Sequence, residues 1–154
     1  MLPVKTIVAV TDFSEESHKA MRAADELAHK LEANLHVVHV NDPVPVPFPA
    51  EAMAHAQPEA TFNVARYREH LQEHARKRLD EVANKLCTKA ETVETNVLEG
   101  SPADEITDYA KQLDADLIVS GTHGRSGVKR LVLGSVAQRL VRVAERPVLT
   151  IPSS

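Results

Sequence analysis

At 154 residues, with 43% hydrophobic residues and a formal net charge of −4, the chain has the size of one domain able to bury its own core. Its acidity argues against broad attraction to nucleic acid or to membrane surfaces. Cys87 is the only cysteine, which excludes an intramolecular disulfide and a cysteine-based zinc cluster and fits a reducing compartment. Tryptophan is absent and aromatics make up 3%, so the core must be aliphatic and alanine-rich, and the stacking platforms of single-strand nucleic-acid binders are missing.

Lys5 to Val10 is short, apolar and β-branched, which predicts a buried strand ending in the turn Thr11-Asp12-Phe13-Ser14. Ser14 fits the N-cap of a first helix, with Glu15 and Glu16 where the helix dipole favours acids. Ala20, Ala24, Leu27, Ala28 and Leu31 give its apolar stripe. Leu35 to Val40 predicts a second strand. Pro43, Pro45, Pro47 and Pro49 then forbid regular pairing, so the stretch from Pro43 to about Phe62 is expected to be an irregular excursion, long for a compact domain. From Asn63 the helical period resumes, with Val64, Tyr67, Leu71, Ala75, Leu79, Val82 and Leu86 on the apolar side.

Glu91 to Leu98 alternates as a third strand, and Gly100 leads into Ser101-Pro102-Ala103-Asp104. Ser101 as N-cap, Pro102 at the first helical position and Asp104 three residues after the cap predict a capping-box-like helix start. Asp116 to Ser120 is the fourth strand, Gly134-Ser135 opens a last helix, and Pro147 to Ile151 is the fifth strand. Strands alternating with helices predict one α/β domain over residues 1–154, with a parallel sheet, right-handed crossovers and helices on both faces. Ligands of such sheets sit beyond the carboxyl ends of the strands, where the strand order reverses. Asp12 and the loop from Gly121 both lie at such ends.

Four of the five glycines, Gly121, Gly124, Gly127 and Gly134, fall between the fourth strand and the last helix. Glycine permits φ > 0 and close approach of backbone amides to a ligand, and a helix N-terminus adds unsatisfied donors with partial positive charge. From Leu117 to Ala144 there is no acidic residue, whereas Arg125, Lys129, Arg130, Arg139 and Arg142 are basic. A basic island in an acidic chain points to a local anion, and phosphate is the natural guest.

The segment contains no G-x-x-x-x-G-K-[ST], and the first strand is followed by no G-x-G-x-x-G, which demotes P-loop and dinucleotide-binding enzymes. It does contain Gly121-Thr-His-Gly124, nine residues, then Gly134-Ser135. With this G-x2-G-x9-G-[ST] spacing, the strand end at Asp12, the His39-Val40 strand end, the helix start from Gly100 to Ile106, DLIVSGTHGRSG and the final RPVLTI, the chain resembles the nucleotide-binding branch of the universal stress protein family over nearly its whole length.

That resemblance implies a five-stranded parallel sheet in the order 3-2-1-4-5, Rossmann-like and of the adenine nucleotide alpha hydrolase type. It implies a cytoplasmic, ATP-binding regulatory module of the stress response, with ADP or AMP as alternative ligands and Mg2+ as an optional companion. Carried over residue by residue, Asp12 and the main chain of Thr11 hold the adenine and ribose end, and Val40 packs on or hydrogen-bonds the base through its backbone. Gly121 and Gly124 bring amides near ribose and phosphates, while Gly134, Ser135 and the amides of Val136 and Ala137 bind phosphate oxygens. Charge and position add Arg125. Val10 and Ser120 stand where the family commonly has proline and methionine. The family also implies a homodimer through the final strand, Val148 to Ile151, and a regulatory protein partner; no apolar stretch approaches the length needed to span a membrane, so no membrane insertion is expected. Two alternatives stay open: a nucleotide-free interaction module of the same fold, and a slow ATPase or self-phosphorylating protein, for which no general base or arginine finger is evident.

His70-Leu-Gln-Glu73-His74 matches H-x-x-E-H in form. It reads as coincidence, because both histidines fall on the polar side of a charged helix and no third ligand is evident. His36 and His39 lie on opposite faces of one strand, which assigns them separate structural roles.

Overall fold

The computed structural model describes residues 3–43, 58–123 and 132–153. Strands β1 (Thr6–Val10), β2 (Asn34–Asn41), β3 (Val93–Glu99), β4 (Leu117–Gly121) and β5 (Val148–Ile151) alternate with helices α1 (Glu15–Leu31), α2 (Pro58–Leu86), α3 (Pro102–Gln112) and α4 (Ser135–Val143). The strands form one parallel sheet in the order β3-β2-β1-β4-β5. Among the described residues no helix is long and apolar enough to cross a membrane.

Side chains alternate across the sheet. Ile7, Ala9, Leu35, Val37 and Val119 pack under α1 and α2, together with Ala20, Ala24, Leu79 and Ala83. Val8, Val38 and Ile118 face the opposite way, onto Ile106 and Ala110 of α3 and Leu140 of α4. Alanines on the inner faces let the helices approach the sheet without aromatic filler. Two carboxylates also tie neighbouring elements together. Buried Asp25 accepts the amides of Thr88, Lys89 and Ala90 at the turn after α2. Asp116 accepts those of Lys5 and Thr6 at the start of β1.

Helix starts follow local chemistry, with two departures from expectation. Ser14 caps α1 by accepting the Ser17 amide at 3.2 Å. Ser101 occupies the N-cap of α3 with Pro102 behind it, yet its side chain makes no capping bond. Asp104 is held by the Arg139 guanidinium of α4 at 2.9 and 3.0 Å, a charge-assisted pair. Gly100, at φ 144°, makes the turn into α3, where a Cβ would come within 2.6 Å of the Glu105 carboxylate.

The second departure concerns α2. It begins at Pro58, a residue pre-set for the first helical position, so the last part of the stretch expected to be irregular is helical. Residues 44–57 lie outside the described residues. At 29 residues α2 is about 43 Å long, longer than the strands it packs on. Among its described residues the apolar stripe is buried at Ala75, Leu79 and Ala83, while Tyr67 is 56% and Leu71 38% exposed.

Candidate functional site

The central strand stops short of its neighbours. β1 pairs with β2 as far as Val10 opposite Val38, and with β4 as far as Ala9 opposite Val119. β2 continues along β3 to Asn41, and β4 along β5 to Gly121. A notch results at the carboxyl end of β1, at the point where the strand order reverses. The chain leaves β1 through a turn in which the Thr11 hydroxyl oxygen accepts the Phe13 amide at 3.0 Å and Asp12 Oδ1 accepts the Ser14 amide at 2.9 Å. Asp12 thus builds the turn as well as lining the opening.

Main-chain polarity along β2 shows what the notch exposes. The Val38 carbonyl accepts the Thr11 amide on the β1 side, whereas the Asn41 carbonyl accepts the Gly100 amide on the β3 side. Orientation alternates along a strand, so the N–H and C=O of Val40 point to the β1 side, beyond the end of β1. Thr11 is less available than the sequence suggests. Its amide is bonded to Val38 and its carbonyl accepts from His39 Nδ1 at 2.9 Å. That leaves the second lone pair of the carbonyl.

On the far side of β1 the N-terminus of α4 opens into the same space. Gly134 is its N-cap, at φ −58°, without a side-chain bond, and the first turn carries no acid. Ser135 is the first helical residue. The first intrahelical bond is from the Gln138 amide to the Gly134 carbonyl at 2.8 Å, so the amides of Ser135, Val136 and Ala137 precede the helical ladder. Two other helices differ: α1 carries Glu15 and Glu16 in its first turn and α3 carries Asp104 and Glu105. At α4 no carboxylate of the first turn meets the positive end of the helix dipole.

The cavity, about 500 Å³, is lined by Val10 at the end of β1, Thr11 and Asp12 beyond it, Val40 on β2, Ser120 and Gly121 on β4, and Gly134 to Ala137 at α4. Its volume falls in the range of small-molecule sites. These ten residues are the predicted set less Gly124 and Arg125, which lie outside the described residues, as do Gly127, Lys129 and Arg130. Two expectations change. Gly121 is an extended strand residue paired with Ile151, and neither it nor Gly134 takes a positive φ; within the described residues these glycines do not serve a left-handed backbone. Arg139 belongs to the Asp104 pair rather than to the cavity.

One wall of the cavity is not announced by the sequence. Arg68, Leu71, Gln72, Ala75 and Arg78 of α2 line the opposite side of the cavity at helical spacing on one face. Arg68 and Gln72 both donate to Glu99 at the end of β3. Arg78 lies over the Phe13 ring, 4.3 Å from its centroid, and Phe13 packs on His39, also at 4.3 Å. Phe13 has φ 65°, uncommon for a bulky residue. A period of 3.6 reveals a shared face on α2, but not that the face overhangs a strand end. His70 and Glu73 are exposed on α2, His74 is exposed and also lines the cavity, and among the described residues no three His, Cys, Asp or Glu side chains are grouped to hold a metal ion. Burial and the nearby Asp25 carboxylate push the Cys87 thiol up to about 12, out of the nucleophilic range.

Comparison with known proteins agrees with this architecture. The model of the universal stress protein family matches residues 3–152. Universal stress protein MJ0531 of Methanocaldococcus jannaschii is 37% identical over 148 residues, which cover 96% of this chain and 81% of that protein. Two solved structures share the fold at 24% identity. One is a universal stress protein in complex with cAMP, with a TM-score of 0.69 over 98% of this chain and 99% of the other. The second is the universal stress protein from Archaeoglobus fulgidus in complex with dAMP, with a TM-score of 0.63 over the same shares. With its sheet order, its strand-end notch and a family match spanning almost every residue, the chain belongs to the universal stress protein family.

Proposed function

We propose that the protein binds an adenine mononucleotide, ATP, ADP or AMP, in the notch at the end of β1, and acts as a nucleotide-dependent regulatory module in the stress response. The observation that carries this reading is the orientation of Val40, whose N–H and C=O face the notch side by side. One donor and one acceptor of a single residue, pointing the same way, complement the amino and ring-nitrogen edge of adenine. Asp12 offers a carboxylate to the ribose, and the amides of Ser135, Val136 and Ala137 with the Ser135 hydroxyl offer donors to phosphate. Mg2+ enters as the counter-ion of ATP. The cAMP and dAMP complexes of two fold relatives support an adenine nucleotide as the ligand class.

The proposed assembly is a cytoplasmic homodimer that hands its nucleotide state to a partner protein. β5 is the edge of the sheet, Leu149 on it is 36% exposed, and Val141 and Val143 on the adjoining α4 are also exposed. An apolar edge strand needs a cover, and a second copy supplies it by two-fold pairing. Mass spectrometry of nucleotide released by denaturing freshly purified protein tests the binding reading. Stoichiometric AMP, ADP or ATP is expected. Protein that carries no nucleotide and takes up none at millimolar concentration contradicts it.

A further inference from the structure

We propose that the cavity face of α2, Leu71, Ala75 and Arg78, is the wall that stacks on the ligand's base, with the Arg78 guanidinium lying against the aromatic ring. This rests on the nucleotide reading above and assigns a role to residues outside the strand-end motif. A base bonded to the Val40 main chain continues the plane of the sheet, as an added strand would, so its two faces look toward the two helical layers. Val10 and Val40 pack on the α3 side, where Pro102 and Ile106 line the cavity. On the other side, Thr11 and His39 alternate onto the face covered by α1 and α2, and α2 presents Leu71, Ala75 and Arg78 there.

Three features mark Arg78 as the ligand-facing cation of this wall. Arg68, the other arginine of the wall, is neutralised by Glu99; Arg78 forms no ion pair among the described residues. Its guanidinium is held in place on Phe13, and stacking leaves the in-plane donors of an arginine unused. Phe13 itself is kept at φ 65° by the Thr11 hydroxyl and by its contact with His39. An apolar patch beside a pre-positioned planar cation is the chemistry of an aromatic base site. It also accounts for Leu71, 38% exposed on a stripe whose next members are buried.

The test is NMR titration of the 15N-labelled protein with AMP and with ribose 5-phosphate, repeated on Arg78→Met. AMP is expected to shift the amides of residues 71–78 and of Ser135–Ala137, and ribose 5-phosphate only the latter. Arg78→Met is expected to weaken AMP about threefold and to leave ribose 5-phosphate affinity unchanged. AMP shifts at α4 with none on α2 overturn the inference while sparing the nucleotide site, as does equal weakening of both ligands. No AMP shift at either place overturns the nucleotide reading and this inference together.

Discussion

The Thr11 amide donates to the Val38 carbonyl at 2.9 Å, and two residues further along β2, Val40 holds the same orientation with no strand beside it. β1 has turned away at Asp12, so the sheet offers the edge of β2 to a ligand in place of a strand. The site is therefore a missing piece of sheet, bounded by β2, by β4 and by the N-terminus of α4.

Proline at position 40 separates ligand binding from folding. The Val40 N–H is not part of the β2–β3 ladder, which uses the odd-numbered residues Leu35 and Asn41, so Val40→Pro removes a donor that the sheet does not use. The expected result is a thermal midpoint within a few degrees of wild type and adenine-nucleotide affinity lowered about tenfold, roughly 1.4 kcal/mol. Calorimetry and circular dichroism read the two quantities separately.

Ser135→Asp should move stability and binding in opposite directions. A carboxylate in the first turn of α4, which has no acid of its own, complements the helix dipole and stabilises by about 0.5 kcal/mol. The same charge repels phosphate. Urea midpoints should rise or hold, while ATP and AMP binding fall at least tenfold and adenosine binding changes little.

Much of this was legible in the sequence, for identifiable reasons. Strand order and the placing of Asp12, Val40 and Ser135 at one crevice came from residues whose spacing identifies a family: Gly121, Gly124, Gly134 and the strand ends. The α2 wall was not legible, because Leu71 and Ala75 obey the same 3.6-residue period whether they cover core or cavity. Nor was the partner of Asp104, 35 residues away in Arg139, since the N3 position suggested a local cap. The backbone of two glycines was not legible either: Gly121 occupies extended strand backbone and Gly134 an extended cap, neither with a positive φ.

Acid should weaken the β1–β4 tether in a defined window. The Lys5 and Thr6 backbone amides that Asp116 accepts hold its carboxyl below the usual range. A depressed folded-state value stabilises the protein above the ordinary aspartate pKa and is lost as pH falls through the folded value. Asp116→Asn should therefore cost about 1 kcal/mol at neutral pH. The gap from wild type should stay constant down to about pH 4 and close below it, as read from urea melts at a series of pH values.

Leu149→Arg tests the proposed edge pairing. Sedimentation velocity should give wild type at twice the chain mass of 16.9 kDa and the variant at the chain mass, with unchanged far-ultraviolet dichroism. Wild type sedimenting as a single chain contradicts the dimer.

Isothermal titration of the folded protein with ATP and Mg2+, and with AMP, is the most direct test of the nucleotide site. The expected result is saturable binding of one nucleotide per chain, weakened in Val40→Pro and in Ser135→Asp. An absence of heat at millimolar nucleotide, from protein whose dichroism shows it folded, would contradict the account.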